Sequence, residues 1–332
     1  EKYNVLLEQV DRLTKENIQL KTQLGLPESE LIQKTTSVKK TERKIPDDES
    51  AARKSFSDVD NQSDTFSKIR LFMSLFKGRE DVYANRWENK NKGTSGYSPV
   101  CLNEWQSGIC AKPKIPCSKC ENKFYAALDE GVIENHLRGH TIAGIYPMLP
   151  DETCCFLAMD FDDADWQKDI SVLGDVCIEF SIPVAVERSR SGKGGHVWFF
   201  FENPLPAVLA RKFGTALLTC SMGRRHEIQF KSYDRLFPSQ DTMPEGGFGN
   251  LIALPLQKAA RENKNSEFID EKFQSYSDQW AFLSDIQKIS EDRLDDLISE
   301  LSPGHELGAL KIDEEEETEK PWEGHISKIK LE

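Results

Sequence analysis

The sequence predicts an α/β or α+β sheet domain over residues 64–302, and three observations carry that prediction. Apolar runs of strand length recur between Cys154 and Leu256. Segments with apolar residues at helical spacing lie between them. Polar stretches poor in aromatics flank the whole. Short apolar runs fit buried strands and a three-to-four spacing fits a helix face, so their mixture means helices packed on a sheet.

The elements follow in chain order. Residues 1–26 read as a coiled-coil helix: Tyr3, Val10, Asn17 and Leu24 stand seven apart, and Leu6, Leu13 and Leu20 form the second series. That is an a/d seam with Leu at each d, and Asn at an a position favours one register, so self-association is expected. The competing reading is an amphipathic helix packed on its own protein. Residues 27–63 are polar and charged and read as a flexible linker. Thr65 to Phe76 has helical spacing (Phe66, Ile69, Leu71, Phe72, Leu75, Phe76). Next come a strand at 154–162, a helix at 165–180 with Asp165 at its start, strands at 183–188 and 196–201, and a helix at 206–220. Strands at 226–231, 233–237 and 250–256 precede a charged helical segment at 275–301. Ser302-Pro303-Gly304 breaks the chain, and 303–332 reads as an acidic linker leading to further protein.

No run of eighteen apolar residues is present, so no membrane span is expected. No apolar h-region opens the chain, which starts at Glu1 and is read as part of a longer protein. The formal net charge of −13 argues against a nucleic-acid partner until it is located. Residues 1–66 carry −2 and residues 303–332 carry −5, whereas residues 188–235 hold nine basic residues against three acidic ones. A basic region is thus embedded in an acidic chain.

Four of the eight cysteines cluster as C-x8-C-x6-C-x2-C: Cys101, Cys110, Cys117 and Cys120. The closing C-x2-C is the knuckle of zinc sites, and Lys112, Pro113, Lys114, Pro116 and Lys119 suit a loop-rich metal module over about 98–125. A structural zinc is expected, with His136 or His140 as substitutes for Cys101. Disulfides are disfavoured because nothing indicates an oxidising compartment. Cys154, Cys155, Cys177 and Cys220 lie in apolar patterns and read as buried thiols.

The strongest chemical signal is Asp160-Phe161-Asp162 at the end of an apolar strand. Side chains alternate along a strand, so the two carboxylates share one side and Phe161 takes the other. Paired carboxylates repel unless a cation lies between them, and oxygen ligands suit a hard divalent ion such as Mg2+ or Mn2+. Some thirty residues on, Arg188-Ser189-Arg190-Ser191-Gly192-Lys193-Gly194-Gly195-His196 leads into the strand Val197–Phe201. Glycines let backbone N–H groups approach an anion and Arg and Lys add charge, so this loop is a candidate triphosphate cradle with His196 as a phosphate donor. The alternative is a glycine-rich hairpin with an incidental histidine. A third element, Tyr233-Asp234-Arg235-Leu236-Phe237-Pro238-Ser239-Gln240-Asp241, offers Asp234 or Asp241 as a third carboxylate, with Lys231 just ahead of it as a further phosphate contact.

These motifs resemble the archaeo-eukaryotic primase superfamily, whose pattern is D-x-D/E, s-x-H and hydrophobic-Asp. Trp105 to Cys120, Asp160 to Asp162, Tyr233 to Asp241 and Gly247 to Gln257 resemble more closely the primase domain of TOTE conflict systems. The likeness covers about residues 67–300, and Gly194 stands where s-x-H has its small residue. The resemblance implies an α+β fold with an RRM-like catalytic core over about 145–260 and a DNA primase-polymerase activity. It implies Asp160, Asp162 and Asp234 (or Asp241) holding two Mg2+ or Mn2+ ions, and His196 with the 188–195 loop binding dNTP or NTP. It further implies single-stranded DNA as template, helicase and nuclease regions of the same system as partners, and a bacterial cytoplasmic setting. Two other functions compete: a non-catalytic zinc-containing nucleic-acid-binding module, and a two-metal nuclease. A nuclease has no triphosphate to cradle.

Overall fold

The computed structural model describes residues 59–224 and 230–302. The coiled-coil segment, most of the N-terminal linker, Arg225, the strand expected from 226 and the acidic 303–332 segment lie largely or wholly outside the described residues. The order is α1 (Thr65–Leu75), β1 (Ala84–Asn89), β2 (Thr94–Pro99), α2 (Glu130–Leu137), β3 (Ala143–Ile145), β4 (Thr153–Phe161), α3 (Trp166–Glu179) and β5 (Ala185–Arg188). There follow β6 (Gly195–Pro206), α4 (Ala207–Arg224), β7 (Tyr233–Phe237), β8 (Ile252–Ala253), α5 (Lys258–Arg261), β9 (Glu267–Ile269), α6 (Gln279–Ser284) and α7 (Glu291–Leu301). This is a mixed α+β fold in which each strand pair within the sheets is antiparallel.

The larger sheet has the order β7-β4-β6-β5-β9, and the smaller one β2-β1-β3-β8. Strand alternation divides the core. Leu157, Met159 and Phe161 of β4 and Val197, Phe199 and Phe201 of β6 face α3, α4 and α7, meeting Leu173, Phe213 and Leu297. Phe156 and Ala158 with Trp198 and Phe200 face the other way, toward Phe72 and Phe76 of the α1 region and Ile145 and Ile252 of the smaller sheet. A strand buried on both faces reads as a continuous apolar run, which is why β4 and β6 were legible. The helix starts are capped: Asp64, Asp129, Asp278 and Ser290 accept from backbone N–H groups of the first turn. Asp165 stands before α3, as the sequence suggests, but its side chain caps nothing.

Several boundaries move. The fold takes in residues expected to be linker: Val59 is buried, and the Asn61 N–H donates to Asp278 Oδ2. The core runs past 260, because β9 pairs with β5. The segment expected as one strand over 250–256 is a strand only at β8, and 275–301 is two helices. The end of the strand expected at 226–231 is a turn at Lys231 and Ser232. Among the described residues, no helix is long and apolar enough to cross a membrane.

Candidate active site

The carboxylates converge because of register. On β4, Asp160 lies opposite His196 of β6, and His196 lies opposite Glu187 of β5. These three side chains form a row at the open end of the Ala158–Trp198–Ala185 row. On the other flank, Met159 pairs with Leu236 of β7, but Phe161 pairs with Tyr233, a shift of one residue. Asp234 and Arg235 therefore share the stretch of β7 opposite Asp160. Such a bulge re-aims side chains, and here it turns Asp234 toward Asp160. Asp162 follows the strand, its N–H donating to the Ser232 carbonyl at 2.6 Å. Ser232 is fixed in turn by Asp169, which accepts from its N–H and its hydroxyl.

One ligand oxygen from each of Asp160, Asp162 and Asp234 lies within 4.8 Å of the others. Asp160 is mostly buried, and its Oδ1 has no hydrogen-bond partner. Burial pushes its carboxyl up to about 6; His196 opposes this, and Asp162 and Asp234 add to it. A buried carboxylate oxygen that accepts no hydrogen bond and faces two further carboxylates fits a divalent cation. Asp241 does not join this group. Its carboxylate pairs with Arg211, so of the two candidates Asp234 is the one beside Asp160 and Asp162. Asp234 also accepts from the Arg235 guanidinium at 2.7 Å.

His196 is held from behind. Its Nδ1 lies 2.9 Å from Glu187 Oε2, which also accepts from Trp198 Nε1 at 3.1 Å, while Glu187 Oε1 accepts from Ser266 Oγ at 3.3 Å. Its Nε2 lies 3.5 Å from Asp160 Oδ1. Burial would lower the histidine, but the Glu187 carboxylate, with Asp160 and Asp162 behind it, raises it to about 9. Glu187 was missed in the sequence. Its signal is an acid at a buried alternation position of a strand, paired across to a histidine.

The glycine loop departs from expectation. The Gly192 N–H donates to the Ser189 carbonyl and the Lys193 N–H to Ser191 Oγ, while Ser189 Oγ and Ser191 Oγ lie 3.1 Å apart. Those two backbone donors hold the hairpin itself. Arg188 is spent on the carbonyls of Lys264 and Phe273, at 2.8 and 2.6 Å, so it ties β5 to the chain around β9 rather than facing a phosphate. Arg188→Ala should lower stability by about 1–3 kcal/mol, because both carbonyls then lose their donor. Thermal unfolding checks this, and an unchanged midpoint contradicts it. Gly194 and Gly195 serve close approach: a Cβ on Gly194 would lie 2.3 Å from the Phe161 carbonyl oxygen and 2.5 Å from Asp162 Oδ1. A Cβ on Gly195 would meet the Trp166 ring at 2.7 Å. Arg190 lies near Tyr97 of β2 and Glu88 of β1, so the loop reaches toward the smaller sheet. Lys231 is exposed in the turn before β7.

The basic stretch is not one face of bare cations. Arg211 pairs with Asp241, Arg224 with Glu179 and Arg235 with Asp234. Cys101, Cys110, Cys117 and Cys120 are free thiols, and among the described residues only the aspartate trio brings three ligand atoms within 4.8 Å. Burial raises the Tyr125 hydroxyl, and Cys101, Cys117 and Cys120 lie near enough to raise it further. Cys101, Cys117 and Cys120 thus lie in the neighbourhood of Tyr125, and the expected zinc rests on the cysteine spacing. Neither histidine substitutes. His136 is buried, its Nε2 on the Pro255 carbonyl and its Nδ1 accepting from the Ala143 N–H, and burial lowers it to about 4. His140 Nδ1 lies 3.2 Å from Asn135 Oδ1.

An antiparallel sheet that ends in three convergent carboxylates, beside a basic glycine hairpin, defines a class: α+β domains with a candidate divalent-cation site at the strand ends of the sheet. The family is more particular. A family model described as "TOTE conflict system, Archaeo-Eukaryotic Primase domain" matches residues 67–297, and the chain belongs to that family. Among solved structures, the polymerase domain of ligase D from Mycobacterium tuberculosis, in complex with DNA, is similar at 12% identity and a TM-score of 0.32. That similarity covers 72% of this chain and 87% of the other. No curated protein matches the chain.

Proposed function

We propose that this domain is a primase-polymerase: it transfers nucleotides to a 3′-OH under the direction of a single-stranded DNA template, using two Mg2+ or Mn2+ ions. The observation that carries the reading is the trio Asp160, Asp162 and Asp234, with Asp160 Oδ1 buried and without a hydrogen-bond partner. Family membership supports nucleotide chemistry at that trio. The run β4-α3-β5-β6-α4-β7 with spatial order β7-β4-β6-β5 supports the RRM-like core.

The three aspartates would hold the ions. Bound there, the ions would supply a lower pKa at the attacking hydroxyl and charge neutralisation on the leaving pyrophosphate. The chain's own residues do the rest. Glu187 accepts from Nδ1 of His196, which keeps that ring cationic and aims Nε2 at the space beside Asp160, where a phosphate oxygen would accept from it. Arg190, Lys193 and Lys231 are the basic side chains around that space that would meet the rest of the triphosphate. Gly194 lets the hairpin lie against Asp162, so the phosphate side and the carboxylate side meet at contact distance. Zinc enters this reading only through the cysteine spacing, and no step depends on it. Helicase and nuclease regions as partners, and a bacterial cytoplasmic setting, follow from the family alone.

The test is incubation with a single-stranded template and labelled dNTPs or NTPs, with Mg2+ or Mn2+, with and without a primer. Template-directed incorporation is expected. Metal-dependent strand cleavage without incorporation would instead make the trio a nuclease centre, and binding without turnover would make the domain a non-catalytic module.

A further inference from the structure

Among the described residues, ten large apolar side chains are exposed, and five of them fall within one short stretch: Leu102, Trp105, Ile109, Ile115 and Phe124. Trp105 is 68% exposed and Phe124 61%. Two of the five, Trp105 and Phe124, are aromatic rings with most of their surface in solvent. Trp105 also sits at φ +61°, in the left-handed region that disfavours a bulky side chain. The loop thus carries local strain while holding an indole in solvent. The charge around these rings is positive: residues 101–124 contain four lysines against two glutamates, in a chain whose total is −13. Lys112 Nζ lies 5.7 Å from the Trp105 ring centroid.

The stretch is anchored close to the site. It leaves the end of β2, where Leu102 N–H donates to the Phe124 carbonyl and Cys101 bridges Tyr125. Tyr97 of the same strand lies beside Arg190 of the glycine hairpin. Three residues separate Tyr97 from Cys101, a reach of about 14 Å at most. The 101–124 loops therefore leave β2 within about 14 Å of the strand position that meets Arg190 of the glycine hairpin.

We propose that the exposed rings Trp105 and Phe124, with the lysines between them, form a stacking platform for unpaired bases of a nucleic-acid strand entering the site. Aromatic rings accept any base through its π-face, and lysines meet the phosphates between bases. A partner protein would fit a continuous aliphatic face. Here Lys, Asn and Gly separate the apolar side chains, and the surplus charge matches a polyanion. The proposal rests on the primase-polymerase reading for its choice of ligand, but its test does not need turnover.

The experiment uses the whole chain, a fluorescein-labelled oligo-dT and, in a second arm, oligo-U, with binding read as anisotropy. Trp105→Ala and Phe124→Ala should each raise Kd at least about fivefold, and the double substitution more. Trp105→Phe should keep parental affinity, because it retains a ring. Lys114→Glu, which leaves both rings in place, should weaken binding and lower the salt dependence of Kd. Mn2+ binding should be unchanged in all five variants, because none of these residues belongs to the aspartate trio. Tighter dT than U binding would make DNA the strand, and the reverse would make it RNA. Parental affinity in the double variant, or a Trp105→Phe variant as weak as Trp105→Ala, overturns the platform. A parent that binds strands through these rings yet incorporates nothing sinks the primase-polymerase reading and leaves the platform standing. A parent that incorporates nucleotides with ring variants unaffected does the opposite.

Discussion

Asp160→Asn is expected to abolish template-directed incorporation while making the metal-free protein more stable. The folded Asp160 titrates near 6, above its ordinary range, because it is buried beside Asp162 and Asp234. A group whose folded pKa is raised contributes stability that is full below its unfolded value and is lost as pH rises through the folded value. At pH 7 without metal, the ionised Asp160 is therefore a cost of about 3 kcal/mol. Asparagine removes the charge and keeps the shape, so the unfolding midpoint should rise by roughly 6–12 °C at pH 7. The gain should vanish by pH 4, where the parental carboxyl is itself protonated. Thermal unfolding of both proteins in chelator, at pH 7 and pH 4, gives the comparison. An Asn variant less stable than the parent at pH 7 would mean that Asp160 is held by protein partners and is not waiting for a cation. Retained incorporation would remove it from catalysis.

Gly194→Ala should have the second large effect. The added methyl would stand 2.3 Å from the Phe161 carbonyl oxygen and 2.5 Å from Asp162 Oδ1, and backbone cannot yield as the tip of a side chain can. The hairpin must lift away from β4, carrying His196 and Arg190 off the trio. Misplacement of reacting groups by about 1 Å costs on the order of a hundredfold in rate, so incorporation should fall at least that far. Overpacking should also cost about 1–3 kcal/mol of stability. Kinetics at saturating nucleotide, with unfolding followed in parallel, would show both. Parental rates in this variant would mean that the hairpin does not serve the trio. The same contact explains why the position that carries the small residue of s-x-H is glycine here: a serine would bring its Cβ to the same carbonyl.

Much of the larger sheet was legible because its central strands are buried on both faces. Cys154 to Asp162, with Asp160 and Asp162 set apart from Phe161, announced both a core strand and a cation site. Strands β1, β2, β3 and β9 were not legible. They are short or half-exposed, and β3 and β9 find their partners far away in sequence. The choice between Asp234 and Asp241 could not be made from spacing, since it depends on one extra residue of β7 opposite β4. Arg188 and Glu187 illustrate the same limit from opposite sides. Arg188 looked like a phosphate ligand because it is basic and stands beside a glycine loop, yet its guanidinium closes two carbonyls. Glu187 looked like an ordinary strand residue, yet it fixes the histidine. Composition reveals charge, but cross-strand register decides what that charge faces.

The central claim is that Asp160, Asp162 and Asp234 hold divalent ions for nucleotide transfer, and Mn2+ binding tests it most directly. Calorimetric titration of Mn2+ into the metal-free protein, with and without dNTP, should give saturable binding that strengthens with nucleotide. In Asp162→Asn, which leaves the buried Asp160 and its histidine in place, binding should weaken at least tenfold. Equal Mn2+ affinity in the parent and in this variant, or no saturable binding in the parent with nucleotide present, would contradict the account.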